Sequence, residues 1–100
     1  MNLTHEQYVR LELELEAIFS ELAQGLDSDS VTAVRWNIDH GEIEMAFEGL
    51  CLELITLSRR PNRDLCERLR SLGIELGLNE ESVYDTDFWK HFIDFIEGEK

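Results

Sequence analysis

The chain has 100 residues, of which 43% are apolar, and 22 acidic residues against 9 basic ones give a formal net charge of −13. This length accommodates one domain spanning 1–100 with a single core, and the apolar fraction excludes a disordered acidic tail. The negative field repels phosphate backbones and anionic membranes, so binding to either is not expected.

The sequence indicates a cytoplasmic protein. No apolar run approaches the roughly 20 residues of a membrane-spanning helix, and the N-terminus lacks the apolar segment of a signal peptide. Cys51 and Cys66 are therefore expected to be buried thiols, because a reducing compartment disfavours disulfides.

The first helix is predicted to begin after Thr4, because Thr4 and Gln7 have the spacing of a capping box. Gly25 is a suitable residue to end it. Apolar residues recur between these points every three or four positions, which is the period of one helical face. They are Tyr8, Leu11, Leu15, Ile18, Phe19, Leu22 and Leu26.

A second element follows the polar segment 27–30, whose Asp and Ser side chains are good helix N-caps. The stretch from Val31 to Ile38 fits a short helix, and its β-branched residues also fit a strand. His40 and Gly41 then predict a turn.

The most apolar helix is predicted to follow, and we expect it to lie at the centre of the fold with Leu50 and Leu54 in the core. Its apolar positions are Ile43, Ala46, Phe47, Leu50, Cys51, Leu54, Ile55 and Leu57.

Pro61 interrupts the helical pattern, and Asn62 is placed to cap the next helix. A loop is predicted over 79–84, and a last helix after Thr86 or Asp87. Amphipathic helices with short connections predict an all-α, compact bundle of four to five helices in a single domain. We expect a monomer or a weak dimer.

No residue pattern indicates catalysis, a metal or a cofactor. The segment after Asp27 lacks the turn glycine and the closing glutamate of a calcium loop. Cys51 and Cys66 form no CxxC motif. The three histidines belong to no recognisable nucleophile or base constellation. We therefore expect no enzymatic activity.

The charges are distributed unevenly along the chain. Residues 58–72 carry five arginines and two acids, whereas the flanking segments are strongly acidic. The acids of the first helix have the pattern of a solvated face, and the arginines at 59, 60 and 63 are expected to pair with neighbouring acids. Trp36 and Trp89 are expected in the core or half-buried, and an exposed tryptophan beside acids would instead indicate an interface.

Four acids cluster around the start of the central helix: Asp39, Glu42, Glu44 and Glu48. Compensation of the helix dipole explains Glu42 and Glu44. Dipole compensation does not require all four acids, and we therefore regard the group as a candidate binding surface.

The segment from Gly41 to Leu54 has the pattern Gly-Glu followed by Ala-x-Glu-x-Leu-Cys-x-x-Leu. This pattern resembles the central segment of MafI-type bacterial immunity proteins, and the likeness extends over about 39–93. Immunity proteins of contact-dependent growth inhibition systems are similar in the same general way. Phe47 departs from the leucine that is usual in the family.

The resemblance implies a cytoplasmic immunity protein for bacterial competition, which blocks a cognate toxin, expected to be a basic nuclease, through an acidic surface. The predicted partner-binding residues are Asp39, Glu42, Glu44 and Glu48, with Asp85, Asp87 and Trp89 as a second patch if the last helix lies beside the central one. The alternative is a helical adaptor or anti-regulator of a host protein, which could act as a nucleic-acid mimic.

Overall fold

The computed structural model describes residues 3–84 and 86–98 and consists of five α-helices. These are α1 (His5–Leu22), α2 (Ser28–Asp39), α3 (Ile43–Thr56), α4 (Arg63–Glu75) and α5 (Phe88–Ile96), with a 3₁₀ turn (Ala23–Gly25) after α1. The described residues contain no strand, which confirms the all-α fold class. The stretch 31–38, for which a strand was an alternative, is helical.

Three helices begin at the side-chain caps that the sequence predicts. Thr4 and Gln7 form the full capping box of α1, with N···O distances of 3.1 and 2.8 Å. Asp27 accepts a hydrogen bond from the Ser30 amide at 2.8 Å at the start of α2. Asn62 caps α4 in the same way. These side chains satisfy amide groups that have no acceptor within the helix.

Two helices end in Schellman turns built on glycine. Gly41 after α2 and Gly77 after α4 have φ angles of 75° and 81°, which a residue without Cβ adopts readily. The following residues, Glu42 and Leu78, donate their amides back to the carbonyls of Asn37 and Gly73. The prediction that Gly25 caps α1 is wrong, because α1 continues into a 3₁₀ turn.

Helix α3 is the central element, and it packs against α1, α2 and α5, while α1 also packs against α4. Leu50 and Leu54 are fully buried, as predicted. Phe47 meets the rings of Phe88 and Phe92 edge-on at centroid distances of 6.4 and 6.1 Å. The apolar face of α5 is thereby fixed beside α3.

The two tryptophans occupy different environments. Trp89 is half-buried, and its ring lies so close to Gly73 that a Cβ there would be 2.5 Å from Trp89 Cζ3. Trp36 is 56% exposed, so the expectation of a core or half-core position is wrong for this residue. The buried face of α2 is formed by Val34 and Ile38, and position 36 falls on the opposite face.

Both cysteines are buried free thiols, as predicted. Burial raises the pKa of the Cys51 thiol, and the neighbouring Glu48 raises it further. Over the described ranges, every helix is too short or too polar to cross a membrane.

Candidate functional site

An open groove of about 900 Å³ runs between the start of α3 and the segment that joins α4 to α5. We call it the acidic groove. Its lining residues are Leu3, Glu42, Glu44, Met45, Leu76, Gly77, Leu78, Glu80, Glu81, Ser82 and Val83. Both Schellman turns contribute to it, because Glu42 follows Gly41 and the second turn is centred on Gly77.

Four carboxylates line the acidic groove without a neutralising partner. Glu42 immediately precedes α3 and Glu44 lies in its first turn, while Glu80 and Glu81 come from the loop after α4. Among the residues that the structure describes, no arginine, lysine or hydrogen-bond donor pairs with any of these four side chains. The Glu80 and Glu81 amides both donate to the Gly77 carbonyl at 3.1 Å, which fixes the backbone that carries them.

Glu48 has a structural position beside this groove. It is 0% exposed, and its two carboxylate oxygens accept hydrogen bonds from the amides of Val83 and Tyr84 at 2.7 and 2.9 Å. The expectation that Glu48 lies on the acidic surface is wrong, because the 79–84 loop covers it. A buried carboxylate needs such donors, so Glu48 anchors this loop to α3.

The anchored loop exposes two apolar side chains. Val83 is 46% exposed and Tyr84 is 52% exposed, although Glu48 holds both of their amides. Val83 lines the acidic groove, and Tyr84 lines a second groove between α2 and α3. The loop therefore presents apolar side chains from a backbone that is already ordered.

Helix α1 is tied to the same end of the molecule through Tyr8. The Tyr8 hydroxyl donates a hydrogen bond to the Gly41 carbonyl in the α2–α3 turn. Burial raises the pKa of the Tyr8 hydroxyl, and the negative charges of Glu44, Glu12 and Glu42 raise it further. Two of these charges, Glu44 and Glu42, belong to the groove, so the groove and the Tyr8 hydroxyl lie at the same end of the molecule.

Three of the other predicted partner-binding residues, Asp39, Asp87 and Trp89, lie outside the acidic groove. Asp39 is exposed at the end of α2 and accepts a hydrogen bond from Arg35 at 3.4 Å. Asp87 is exposed just before α5, and Trp89 packs against α4. Asp85 lies outside the described residues. Helix α5 does lie beside α3, but neither Asp87 nor Trp89 lines the groove.

A second acidic region, formed by α1 and α4, is neutralised by arginines. Arg68 contacts Glu14 at 3.2 Å and Glu21 at 3.0 Å, and Arg10 contacts Glu75 at 3.3 Å. We call this region the paired face. The acids of α1 were expected to be only solvated, and the structure instead pairs several of them.

The arginines that form ion pairs are not those that the sequence indicates. Arg59, Arg60 and Arg63 were expected to pair with neighbouring acids, but no carboxylate in the described part of the chain lies within ion-pair distance of them. The pairs instead involve arginines whose partners lie on other helices or one turn away. Arg35, for example, binds Glu16 of α1 at 2.8 Å.

The structure offers no assembled metal ligand set. Within 3–84 and 86–98, no three residues among the His, Cys, Asp and Glu side chains come together in a way that could hold a metal ion. What the acidic groove can do chemically is attract and fix cationic side chains, because its four carboxylates are hydrogen-bond acceptors.

Comparison of the chain with protein-family models, with curated proteins and with solved structures finds no match.

Proposed function

We propose that this protein is a cytoplasmic inhibitor of the immunity type, which binds a basic toxin domain through the acidic groove and covers its functional surface. The observation that carries the proposal is a group of four carboxylates in one groove, Glu42, Glu44, Glu80 and Glu81, which have no ion-pair or hydrogen-bond partner among the described side chains. The resemblance of the segment 41–54 to MafI-type immunity proteins supports the same class of function. Inhibition would be steric and electrostatic, without chemistry on either partner.

The groove favours a cationic protein surface because its charges and backbone are already in place. Lysine or arginine side chains of a nuclease, which serve to bind phosphates, would find carboxylates at fixed positions. Preorganisation reduces the ordering cost of binding. The net charge of −13 would also accelerate association with a basic partner.

Exposed apolar side chains near the carboxylates would supply the contacts that slow dissociation. Val83 and Tyr84 project from the loop that Glu48 anchors. Trp36, stacked on His40 at a ring distance of 3.8 Å, lies at the end of α2, shortly before the groove residue Glu42. Aromatic side chains of this kind dominate the energetics of protein interfaces.

The proposal is tested by co-expression with the product of a neighbouring toxin gene. We compare the groove variant, E42Q/E44Q/E80Q/E81Q, with a matched variant of the paired face, E14Q/E21Q/D64N/E75Q. Each loses four negative charges, so both have the same net charge. We expect the second variant to protect cells like the wild type, and the groove variant to fail while remaining folded by circular dichroism.

Three outcomes would contradict the proposal. Protection by the folded groove variant would place the interface on another face. Equal loss of protection in both variants, with both shown to be folded by circular dichroism, would show that only the total charge matters. If no toxin is encoded nearby and the purified protein captures a housekeeping protein, an adaptor or anti-regulator function replaces the inhibitor function.

A further inference from the structure

A basic cavity lies where α3 is joined to α4, away from the acidic groove. Arg60, Arg63 and Arg70 line this cavity, which has a volume of about 590 Å³. Glu67 and Glu97 also line it, so three positive and two negative side chains meet there. A local excess of positive charge is unexpected in a chain with a net charge of −13.

The positive charge of this basic cavity is only partly neutralised. Glu67 pairs with Arg70 at 3.3 Å. The described residues provide no carboxylate within ion-pair distance of Arg60 or Arg63. Glu97 lines the cavity but lies beyond ion-pair distance of both arginines, so the lining keeps three guanidinium groups against two carboxylates.

The start of α4 adds to the positive potential. The Asn62 side chain accepts the Leu65 amide, and its carbonyl accepts the Cys66 amide. In the described structure the amides of Arg63 and Asp64 keep no acceptor. The N-terminus of a helix carries partial positive charge. The exposed Arg63 side chain adds to this positive potential, and Asp64 in the same turn offsets part of it.

Packing alone accounts for one of the two unpaired arginines. The Arg60 guanidinium lies against Gly98 at the end of α5, where a cation compensates the helix dipole. Arg63 is exposed, and within 3–84 and 86–98 it has no ion-pair partner. Burial raises the pKa of the Cys66 thiol, which lines the cavity, so this thiol remains neutral and does not repel an anion.

We propose that the basic cavity binds the phosphate group of a small soluble anion, either inorganic phosphate or a phosphate monoester. Guanidinium groups match phosphate oxygens in a bidentate geometry, and a helix N-terminus favours the same ligand. A long polyanion would experience the repulsion of the whole surface. A small anion responds mainly to charges within the screening length of about 8 Å. This inference does not depend on the acidic groove.

The test is a titration of the ¹⁵N-labelled protein with inorganic phosphate at constant ionic strength, followed by NMR. We expect saturable shifts of the Arg63 and Asp64 amides with a dissociation constant on the order of 1 mM. The variants R60Q and R63Q should each weaken binding about tenfold, because each removes a charge-assisted contact. The control R10Q, which removes an exposed arginine of the paired face, should bind like the wild type.

A parallel titration with glycerol 1-phosphate identifies the source of the phosphate group. Tighter binding of the ester assigns the cavity to a phosphorylated metabolite, and equal or weaker binding assigns it to inorganic phosphate. Shifts that stay linear with concentration would overturn the proposal. So would wild-type affinity in R63Q, or an equal loss in R10Q, provided that circular dichroism shows each variant to be folded.

Discussion

The paired face and the acidic groove are both rich in carboxylates, but in the described part of the chain the groove carboxylates have no ion-pair partner, whereas several of those on the paired face do. On the paired face, Arg68 lies between Glu14 and Glu21, and Arg10 contacts Glu75. In the groove, the described residues place no cation near Glu80 or Glu81. The difference teaches that the net charge of a protein does not show which of its carboxylates are neutralised. The internal partners of each carboxylate do.

The two regions also differ in what their acids do for the fold. Ion pairs at the surface are each worth about 0–1 kcal/mol, so the paired face gains modest stability. Unpaired carboxylates close to one another repel, so the groove gains none from its charges. Its shape rests instead on the glycine turns and on Glu48, whose burial is unusual for a charged residue.

The largest effect is expected from Glu48→Ala, which removes the support of the groove. We expect a loss of about 3 kcal/mol in the free energy of unfolding, because hydrogen bonds to a charged group contribute about 1.5–3 kcal/mol each and the loop amides then meet water. Chemical denaturation measures this loss. Hydrogen exchange should also accelerate at the amides of Val83 and Tyr84.

Glu44→Ala is the matched control for this experiment, one helical turn earlier on α3. Its side chain has no partner among the described residues, so a change within about 0.5 kcal/mol is expected. Equal unfolding free energies for the two variants would show that Glu48 does not anchor the loop.

The sequence predicts helices better than surfaces, and Glu48 shows why. The caps at Thr4, Asp27 and Asn62 are local signals within four residues, and all three are confirmed. The role of Glu48 depends on a loop 35 residues away in sequence. No local pattern specifies that contact, so Glu48 looks like any acid in the first turns of a helix.

Only two of the four groove carboxylates could be predicted from the sequence. Glu42 and Glu44 follow from the acidic start of α3. Glu80 and Glu81 were missed, because consecutive acids in a loop normally only solvate it. The one signal that could have found them is Gly77, since the glycine turn directs the loop back across α3. Trp36 was misplaced because a helix face is assigned from few apolar positions.

The next effect concerns the contact between Trp89 of α5 and Gly73 of α4, one of the two helices that form the paired face. Gly73→Ala places a Cβ within 2.5 Å of the Trp89 ring and 3.1 Å of the Phe47 ring. We expect a loss of about 1–3 kcal/mol from overpacking, together with a change in tryptophan fluorescence. Gly49→Ala is the control, because nothing lies within 4 Å of its added Cβ. It should stabilise the protein by about 0.5–1 kcal/mol.

If Gly73→Ala were as stabilising as Gly49→Ala, the close contact between α4 and Trp89 would be wrong. The half-buried Trp89 would then be released from its packing role and could act in a partner-binding patch.

A smaller effect compares the two acidic regions directly. Arg68→Gln removes the cation shared by Glu14 and Glu21, and should destabilise the protein by about 1 kcal/mol at low salt. The double variant Glu80→Gln/Glu81→Gln removes only electrostatic repulsion. It should leave the free energy of unfolding unchanged or raise it by about 0.3 kcal/mol. Chemical denaturation at low and high salt measures the change in unfolding free energy for each variant. Salt screening should make both changes smaller. Destabilisation by the double variant would reveal an internal role for the groove acids.

The smallest effect is the pH dependence of one pair at the edge of α1. The hydrogen bond from Arg35 lowers the pKa of the Glu16 carboxyl from its ordinary value of 4.5. A carboxyl with a lowered pKa in the folded state stabilises the fold fully above its unfolded pKa, and this contribution disappears as the pH falls through the folded pKa. Glu16→Gln should therefore cost about 0.5 kcal/mol at pH 7, a value typical of half-exposed pairs.

The difference in unfolding free energy between wild type and Glu16→Gln should shrink below pH 4.5. In an Arg35→Gln background this difference should be small at every pH. Urea denaturation between pH 7 and 3 measures it, with Glu80→Gln as the reference from the groove. A difference that grows on acidification would have the wrong sign. It would show that burial and not Arg35 governs the Glu16 carboxyl, and this pair between α1 and α2 would then contribute nothing to stability.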